Sequence, residues 1–337
     1  MSARRGHNDA TDRWHLSFPG SFPLRIAIGA LAGDEARAVA SSWCARLREA
    51  GRSDRSAYAI QVTGTSRRYP RPLSRALGVR YLRGEAEDRL VHVGATVAIT
   101  PGRPSALVLR RVGRGGGLGH VLEALDTALM HGAALQGVAF MHAGAFRIVS
   151  AGILAMGLTG SGKSTLAVAS LHQGSRIVSD DVVLLGRDAS GRLLVRTARR
   201  DAYLRRASCR VVPAPLRPKL QREGGSSGKW ILRRDACPGR FALACTPKVA
   251  MRVRLDRRRK QPMVRRLSTA EVLAELINAS SPLMVSAPYA AERAALMPVL
   301  VAFAETVPGF EVRMGTDLLT RPEATVKRLL ADIGVGP

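Results

Sequence analysis

The sequence predicts an α/β protein in two parts: a smaller mixed α/β domain over residues 1–115 and a nucleotide-binding domain over residues 116–337. Three observations carry this. Short apolar runs alternate with amphipathic helical stretches along the chain. The run Gly113-Arg114-Gly115-Gly116-Gly117-Leu118-Gly119 interrupts that alternation and reads as a linker. Finally, Gly157-Leu158-Thr159-Gly160-Ser161-Gly162-Lys163-Ser164 is a complete G-x-x-x-x-G-K-[ST] loop, with an apolar strand at 153–156 before it and a helix at 165–171 after it.

In chain order, residues 24–28 read as a strand. Asp34 opens a helix with Val39, Trp43 and Leu47 along one stripe. Residues 58–62, 79–82, 90–99 and 106–109 read as strands. A helix follows over 120–131, with Val121, Leu125, Ala128 and Leu129 on one face and Gly132 as its stop. Strands at 136–141 and 145–149 lead into the glycine loop. Residues 176–178 form the next strand, and 182–185 pairs with 193–195 as a hairpin. The stretch 199–240, rich in Arg, Pro and Gly, carries no period. A strand at 249–255 precedes the capping box Ser268-Thr269-Ala270-Glu271 and its helix. Residues 290–307 are helical, with Pro298 expected to kink or split them. A strand at 310–314 and a helix started by Pro322 end the chain.

The chain has 337 residues, of which 46% are hydrophobic, enough for a real core. Its net charge of +26 raises nucleic-acid or membrane partners. The excess is mostly arginine spread from Arg4 to Arg328, the pattern of a GC-rich coding bias, so no nucleic-acid partner is expected. The densest run, Arg257-Arg258-Arg259-Lys260, reads as a solvated turn, with a surface for an acidic partner as the alternative. Cys44, Cys209, Cys237 and Cys245 show neither C-x-x-C nor zinc spacing and are expected as reduced thiols. No apolar h-region follows Arg4 and Arg5, and no run reaches the ~20 residues of a membrane span. A soluble, cytoplasmic protein is the expectation.

The glycine loop carries the chemistry. Glycines let backbone N–H groups crowd around phosphate oxygens. Gly157, Thr159, Gly160, Ser161, Gly162, Lys163, Ser164 and Thr165 are therefore the candidate nucleotide contacts, with Lys163 reaching the β- and γ-phosphates and Ser164 a divalent metal. Phosphoryl transfer also needs a carboxylate near the metal and the acceptor. Asp180 and Asp181 directly follow the strand after the loop helix, facing the same end of a parallel sheet as the loop. Adjacent residues on an extended backbone point to opposite sides, so one faces the metal and the other faces elsewhere in the site. Periodicity does not say which. His142, at a strand end before the loop, is placed to pair with an aspartate or touch a phosphate.

Met141-His142-Ala143-Gly144, the glycine loop, and Gly174-Ser175-Arg176-Ile177-Val178-Ser179-Asp180-Asp181 together resemble the catalytic domain of HPr serine kinase/phosphorylase. They resemble still more the shorter HPr-kinase-like proteins found beside peptide-maturation genes. His142 lies 21 residues before Lys163, and Asp181 lies 18 after it. The resemblance covers residues 120–190 well; over 267–333 only the helix-strand-helix pattern is similar. It implies a phosphoenolpyruvate-carboxykinase-like P-loop domain that uses ATP and Mg²⁺. It makes Asp181 the acceptor of the serine proton. Asp180 and His142 tune that residue and position the phosphates, with Asp180 beside Ser164 at the metal. The family's Glu-Ile-Arg-Gly segment has no match between Arg187 and Val212, and Pro238-Gly239-Arg240 is followed by Phe241. The expectation is therefore a kinase without phosphorylase activity, acting on a serine of a peptide or small protein. A nucleotide-binding regulatory or assembly protein without phosphotransfer is the alternative. Gly228-Lys229-Trp230 is a further candidate, with Lys229 reaching the transferred phosphate or sitting exposed in a loop. The bifunctional relatives are hexameric, which leaves homo-oligomerisation open here.

Overall fold

The computed structural model describes residues 13–18, 24–29, 31, 33–44, 46–49, 58–65, 80–83, 88–91, 95–100, 102–111, 118–223, 228–280 and 289–335. Arg4, Arg5 and most of the glycine run at 113–117 lie outside them. The chain is a mixed α/β protein that divides into two compact units; the main boundary is at Gly132 and Ala133, and Phe18 and Ser41–Cys44 group with the second unit.

The first unit is an eight-stranded mixed sheet. Its strands are β1 (Arg13–Ser17), β2 (Ile26–Gly29), β3 (Arg46–Glu49), β4 (Tyr58–Thr65), β5 (Arg80–Arg83), β6 (Asp88–Val91), β7 (Ala95–Ile99) and β8 (Ser105–Arg111), in the order β3-β1-β2-β4-β8-β7-β6-β5. Strand β4 shows why one face packs: Tyr58, Ile60 and Val62 are buried while Ala59, Gln61 and Thr63 are exposed. Helix α1 (Gly33–Ser42) buries Ala36 and Val39. Helix α2 (Leu118–Leu135) buries Val121, Leu125, Ala128 and Leu129 on the predicted face.

Three expectations fail in this unit. Helix α1 ends at Ser42, and Leu47 lies on β3 opposite Leu16, so strand pairing outweighs the helical spacing of Val39, Trp43 and Leu47. The run 90–99 divides between β6 and β7, which pair with each other antiparallel. Gly132 does not stop α2; it makes room for an aromatic ring, since a Cβ there would stand 2.6 Å from the Tyr58 ring. That ring's hydroxyl meets His131 Nδ1 at 2.5 Å.

The second unit is organised by a six-stranded sheet. Its strands, introduced in chain order with those of two smaller sheets, are as follows. Strand β9 (Ala139–His142) precedes the hairpin of β10 (Gly144–Ile148) and β11 (Ala151–Met156). Helix α3 (Lys163–Ala169) runs into a 3₁₀ turn that Gly174 ends in the left-handed region, at φ 70°. Then come β12 (Arg176–Ser179), the hairpin β13 (Val182–Arg187) and β14 (Leu193–Thr197), and β15 (Ala202–Leu204). The unread middle of the chain forms 3₁₀ helices at Arg206–Val211 and Ala214–Lys219, and the strands β16 (Leu220–Arg222) and β17 (Trp230–Leu232). Strands β18 (Ala244–Cys245), β19 (Pro247–Leu255) and β20 (Met263–Leu267) precede α4 (Thr269–Ala279) and α5 (Ala290–Thr306). Strand β21 (Gly309–Met314), α6 (Asp317–Thr320) and α7 (Pro322–Asp332) complete the unit.

The sheet order is β12-β10-β11-β19-β21-β20, beside a four-stranded sheet β18-β14-β13-β9 and a three-stranded sheet β15-β17-β16. Strand β11 is buried on both faces. Ile153 and Ala155 join one core with Leu166 of α3 and Val326 of α7, while Leu154 and Met156 join another with Val272 of α4 and Phe303 of α5. Burying each such Leu, Ile, Val or Phe contributes about 1.5–3 kcal/mol. The capping box forms at α4: Ser268 Oγ accepts from the Glu271 N–H, and Glu271 accepts from the Ser268 N–H. Helix α5 passes Pro298 without splitting.

The parallel sheet expected around the loop needs correction. Strand β10 lies between β11 and β12 and is antiparallel to both, so β11 and β12 run the same way without touching. Their carboxyl ends still share one edge of the sheet, and the start of β10 comes to that same edge.

Candidate active site

Strand β11 delivers the chain to the glycine loop. Gly157 adopts φ 138°, and a side chain there would run into the carbonyl of Val253 on neighbouring β19. Gly160 (φ 84°) and Gly162 (φ 102°) also hold conformations that only glycine adopts without strain. Lys163 is buried to 5% exposure and folds back over the loop. Its ammonium donates to the carbonyls of Gly157 (2.8 Å) and Leu158 (3.1 Å) and lies 3.2 Å from His142 Nε2. Burial lowers the Lys163 pKa, and the charges of Asp181 and Asp180 oppose that.

His142 and the aspartates come from a double crossover between sheets. His142 ends β9 in the four-stranded sheet, and β10 starts two residues later in the six-stranded one. Asp180 and Asp181 lie between β12 in the six-stranded sheet and β13 in the four-stranded one. The two crossings run side by side: His142 pairs with Val182, Ala145 pairs with Ser179, and a Cβ on Gly144 would sit 3.4 Å from the Asp180 carbonyl.

The aspartates face opposite ways. Asp181 is half-exposed, with Oδ1 3.1 Å from His142 Nδ1. Burial pushes its carboxyl up, but the bond to His142 and the positive charges of Arg199 and Lys229 outweigh that and hold it below its ordinary value. With Lys163 protonated, its three hydrogens meet Gly157, Leu158 and His142 Nε2. Nδ1 then carries the imidazole proton and donates to Asp181.

Asp180 is 1% exposed. Its Oδ2 accepts from the Tyr203 N–H at 3.0 Å, and its Oδ1 has no partner among the described residues. The Ser164 hydroxyl donates to the Asp180 carbonyl at 3.2 Å. Burial, reinforced by the charge of Asp181, pushes the Asp180 carboxyl up to about 7 against the pull of the Tyr203 amide and the Ser164 hydroxyl. Ser161 Oγ is likewise buried without a partner among the described residues. Thr165 Oγ1 and Ser208 Oγ, 2.8 Å apart, tie α3 to the first 3₁₀ helix, and Thr159 Oγ1 lies 3.5 Å from His142 Nε2.

Sequence reasoning brought together His142, Lys163, Ser164, Asp180 and Asp181, and these do meet at one sheet edge. It missed what the middle segment adds. The Arg205 guanidinium lies 3.9 Å from where a Gly160 Cβ would be, Arg199 acts electrostatically on Asp181, and the Tyr203 amide holds Asp180. No period or motif marks these residues; they reach the site through the small sheet of β15 and β17. Lys229 also acts on Asp181, and its ammonium lies 5.9 Å from the centre of the Tyr203 ring. Trp230 packs partly buried against the core around α3.

Among the described residues no three His, Cys, Asp or Glu side chains gather into a cation site. A cation here would need the Ser164 hydroxyl, a carboxylate and oxygens of a bound phosphate, the donor set that suits Mg²⁺. The unpartnered Asp180 Oδ1 fits such a group.

No family model matches the chain, and no curated protein matches it. Among solved structures, the HPr(Ser) kinase/phosphatase from Coxiella burnetii is similar, with 16% identity over 58% of this chain and 92% of that one and a TM-score of 0.31. A likeness of that extent carries no functional argument. No helix among the described residues is long and apolar enough to cross a membrane.

Proposed function

We propose that this protein is an ATP-dependent kinase that phosphorylates a serine of a peptide or small protein, its residues 116–337 forming a phosphoenolpyruvate-carboxykinase-like P-loop domain of the HPr-kinase type. Residues 1–115 form a separate mixed α/β domain without an assigned role, and a cytoplasmic location belongs to the same proposal. The observation that carries the reading is the chain of a loop lysine, His142 and Asp181 at hydrogen-bond distances, beside a buried Asp180 whose Oδ1 has no partner among the described residues.

In this reading the loop N–H groups of Gly160, Gly162 and Lys163 cradle the phosphates. Lys163 exchanges its bonds to the Gly157 and Leu158 carbonyls for phosphate oxygens. Ser164 and Asp180 are the residues that would hold Mg²⁺, which would supply positive charge at the phosphates. Asp181 accepts a hydrogen bond from the serine hydroxyl, orients it, and takes its proton as transfer proceeds. His142 keeps that carboxylate ionised and aimed. Arg205 and Lys229 bring further positive charge to the region of the transferred group. Catalysis on these terms is mostly positioning and charge neutralisation.

The test is incubation of the protein with γ-labelled ATP, Mg²⁺ and serine-containing peptides, with Lys163→Ala as control. Label on peptide serine that disappears in Lys163→Ala is the expected result. Nucleotide binding with neither transfer nor hydrolysis replaces the kinase with a nucleotide-sensing protein.

A further inference from the structure

The basic run Arg257–Lys260 is an exposed turn, as its charge suggested, and it is held in place. The Arg259 carbonyl accepts from the Thr316 N–H at 2.9 Å and the Lys260 carbonyl from the Asp317 N–H at 3.0 Å, so the segment is pinned to the start of α6. Beside it lies a groove of about 510 Å³ between the end strand of the large sheet and α7. Arg259, Arg266 and Arg328 line it against one acid, Asp332. Arg328 binds Gln261 at 2.5 Å and meets Asp332 at 3.8 Å, and Arg266 lies over the Phe310 ring at 5.5 Å. The strand that walls this groove, β20, pairs with β21 on one side, and among the described residues no strand pairs with its other side.

We propose that β20 and this groove form a docking site for an extended acidic peptide segment, which adds to the sheet as a further strand and lowers alternate carboxylates among Arg259, Arg266 and Arg328. An open strand edge supplies main-chain donors and acceptors, and side-chain pockets beside it supply selectivity. The charge selects acidic residues. A peptide fits better than a nucleic acid: the ring in the groove, Phe310, is buried under Arg266 and offers no face for stacking bases, and the open edge is complementary to a peptide backbone.

Resting on the kinase reading, the occupant is the acidic flank of the acceptor. Strand β20 is three sheet steps from β11, and an added strand makes a fourth. At ~4.8 Å per step that is about 19 Å across the sheet from β11, the strand that leads into the glycine loop, a distance spanned by roughly six extended residues. The reacting serine therefore lies about six residues from the acidic segment.

The experiment uses the full chain and fluorescence anisotropy with three labelled probes: a ten-residue peptide alternating Glu and Val, the same peptide with Lys in place of Glu, and a ten-nucleotide oligouridylate. The Glu/Val peptide is expected to bind and the Lys/Val peptide not to. Arg259→Glu and Arg266→Glu are each expected to weaken binding about tenfold, while Arg103→Glu, the same change of charge on the first unit, leaves it unchanged. Arg259 sits in an exposed turn, so its variant stays informative if Arg266→Glu disturbs Phe310. Equal binding of both peptides, oligouridylate binding as tight as the Glu/Val peptide, or indifference to Arg259→Glu overturns the proposal. A second arm measures transfer to serine peptides with and without the Glu/Val flank. Equal transfer to both refutes docking of the acceptor and leaves the kinase standing. Flank-dependent binding with no transfer to either peptide refutes the kinase and leaves the docking site standing.

Discussion

Asp180 offers the sharpest test of the site, because its burial makes opposite demands on stability and function. Its carboxyl titrates near 7 in the folded chain against an ordinary 3.8. A carboxyl with a raised folded pKa favours folding while protonated, and that contribution is lost as pH rises from the unfolded value through the folded one. Asn cannot ionise in either state and keeps an oxygen to accept from the Tyr203 N–H. From the two pKa values, Asp180→Asn should stabilise the ligand-free protein by about 2 kcal/mol at pH 5 and about 4 kcal/mol at pH 8, with little gain below pH 4. The assay is urea denaturation of both proteins at pH 4, 5 and 8, followed by Trp230 fluorescence in variants lacking the other two tryptophans. The same substitution should abolish phosphoryl transfer, since it removes the charge proposed to hold Mg²⁺. A stabilisation independent of pH would show that Asp180 is not buried in the way the structure requires. A loss of stability at pH 8 would show that its charge is compensated by a partner.

Asp181→Asn is expected to leave nucleotide affinity within about twofold and to lower turnover by 10²-fold or more, read by calorimetry and single-turnover transfer; full activity would remove Asp181 from the mechanism. His142→Ala removes the strongest influence holding the Asp181 carboxyl down, so that pKa rises and the acidic limb of the pH–rate profile moves to higher pH; an unmoved limb refutes the coupling. Val149 is 71% exposed and holds φ 49°, a conformation that penalises a β-branched residue, at the two-residue turn between β10 and β11. Val149→Asn should stabilise the protein by about 1 kcal/mol in thermal denaturation without changing nucleotide binding.

The site was legible in the sequence where its chemistry is local. Three neighbouring glycines, a lysine and a hydroxyl must be contiguous to form a phosphate cradle, and a strand and a helix must flank them. The aspartate pair was legible because its strand follows the loop helix after one turn. The topology was less so. Nothing in the alternation of residues 145–149 says that β10 enters antiparallel between β11 and β12, because strands in the middle of a sheet read as apolar runs in either direction. The crossing of His142 and the aspartates from one sheet to another was hidden for the same reason. The segment 199–240 was opaque because it folds as 3₁₀ turns and three-residue strands, too short to show a period, yet it supplies the amide that holds Asp180. In the first unit, Leu47 matched a helical stripe and went to a strand, where pairing with Leu16 decided the matter.

The hairpin of β10 and β11 has one more implication. His142 and Lys163 are 21 residues apart in the chain and 3.2 Å apart in space, and most of what separates them is the trip up one strand and back down the next. The count is the perimeter of a hairpin, so it is free to vary at the tip and fixed everywhere else. Residues inserted beside Val149 would lengthen the count and leave the two groups in contact. One residue deleted within either strand would keep the count nearly the same while turning every following side chain to the wrong face. A distant chain with the same constellation is therefore recognised by the register of Gly144 opposite Ala155 and Ile148 opposite Ala151, whatever the interval between its histidine and its lysine.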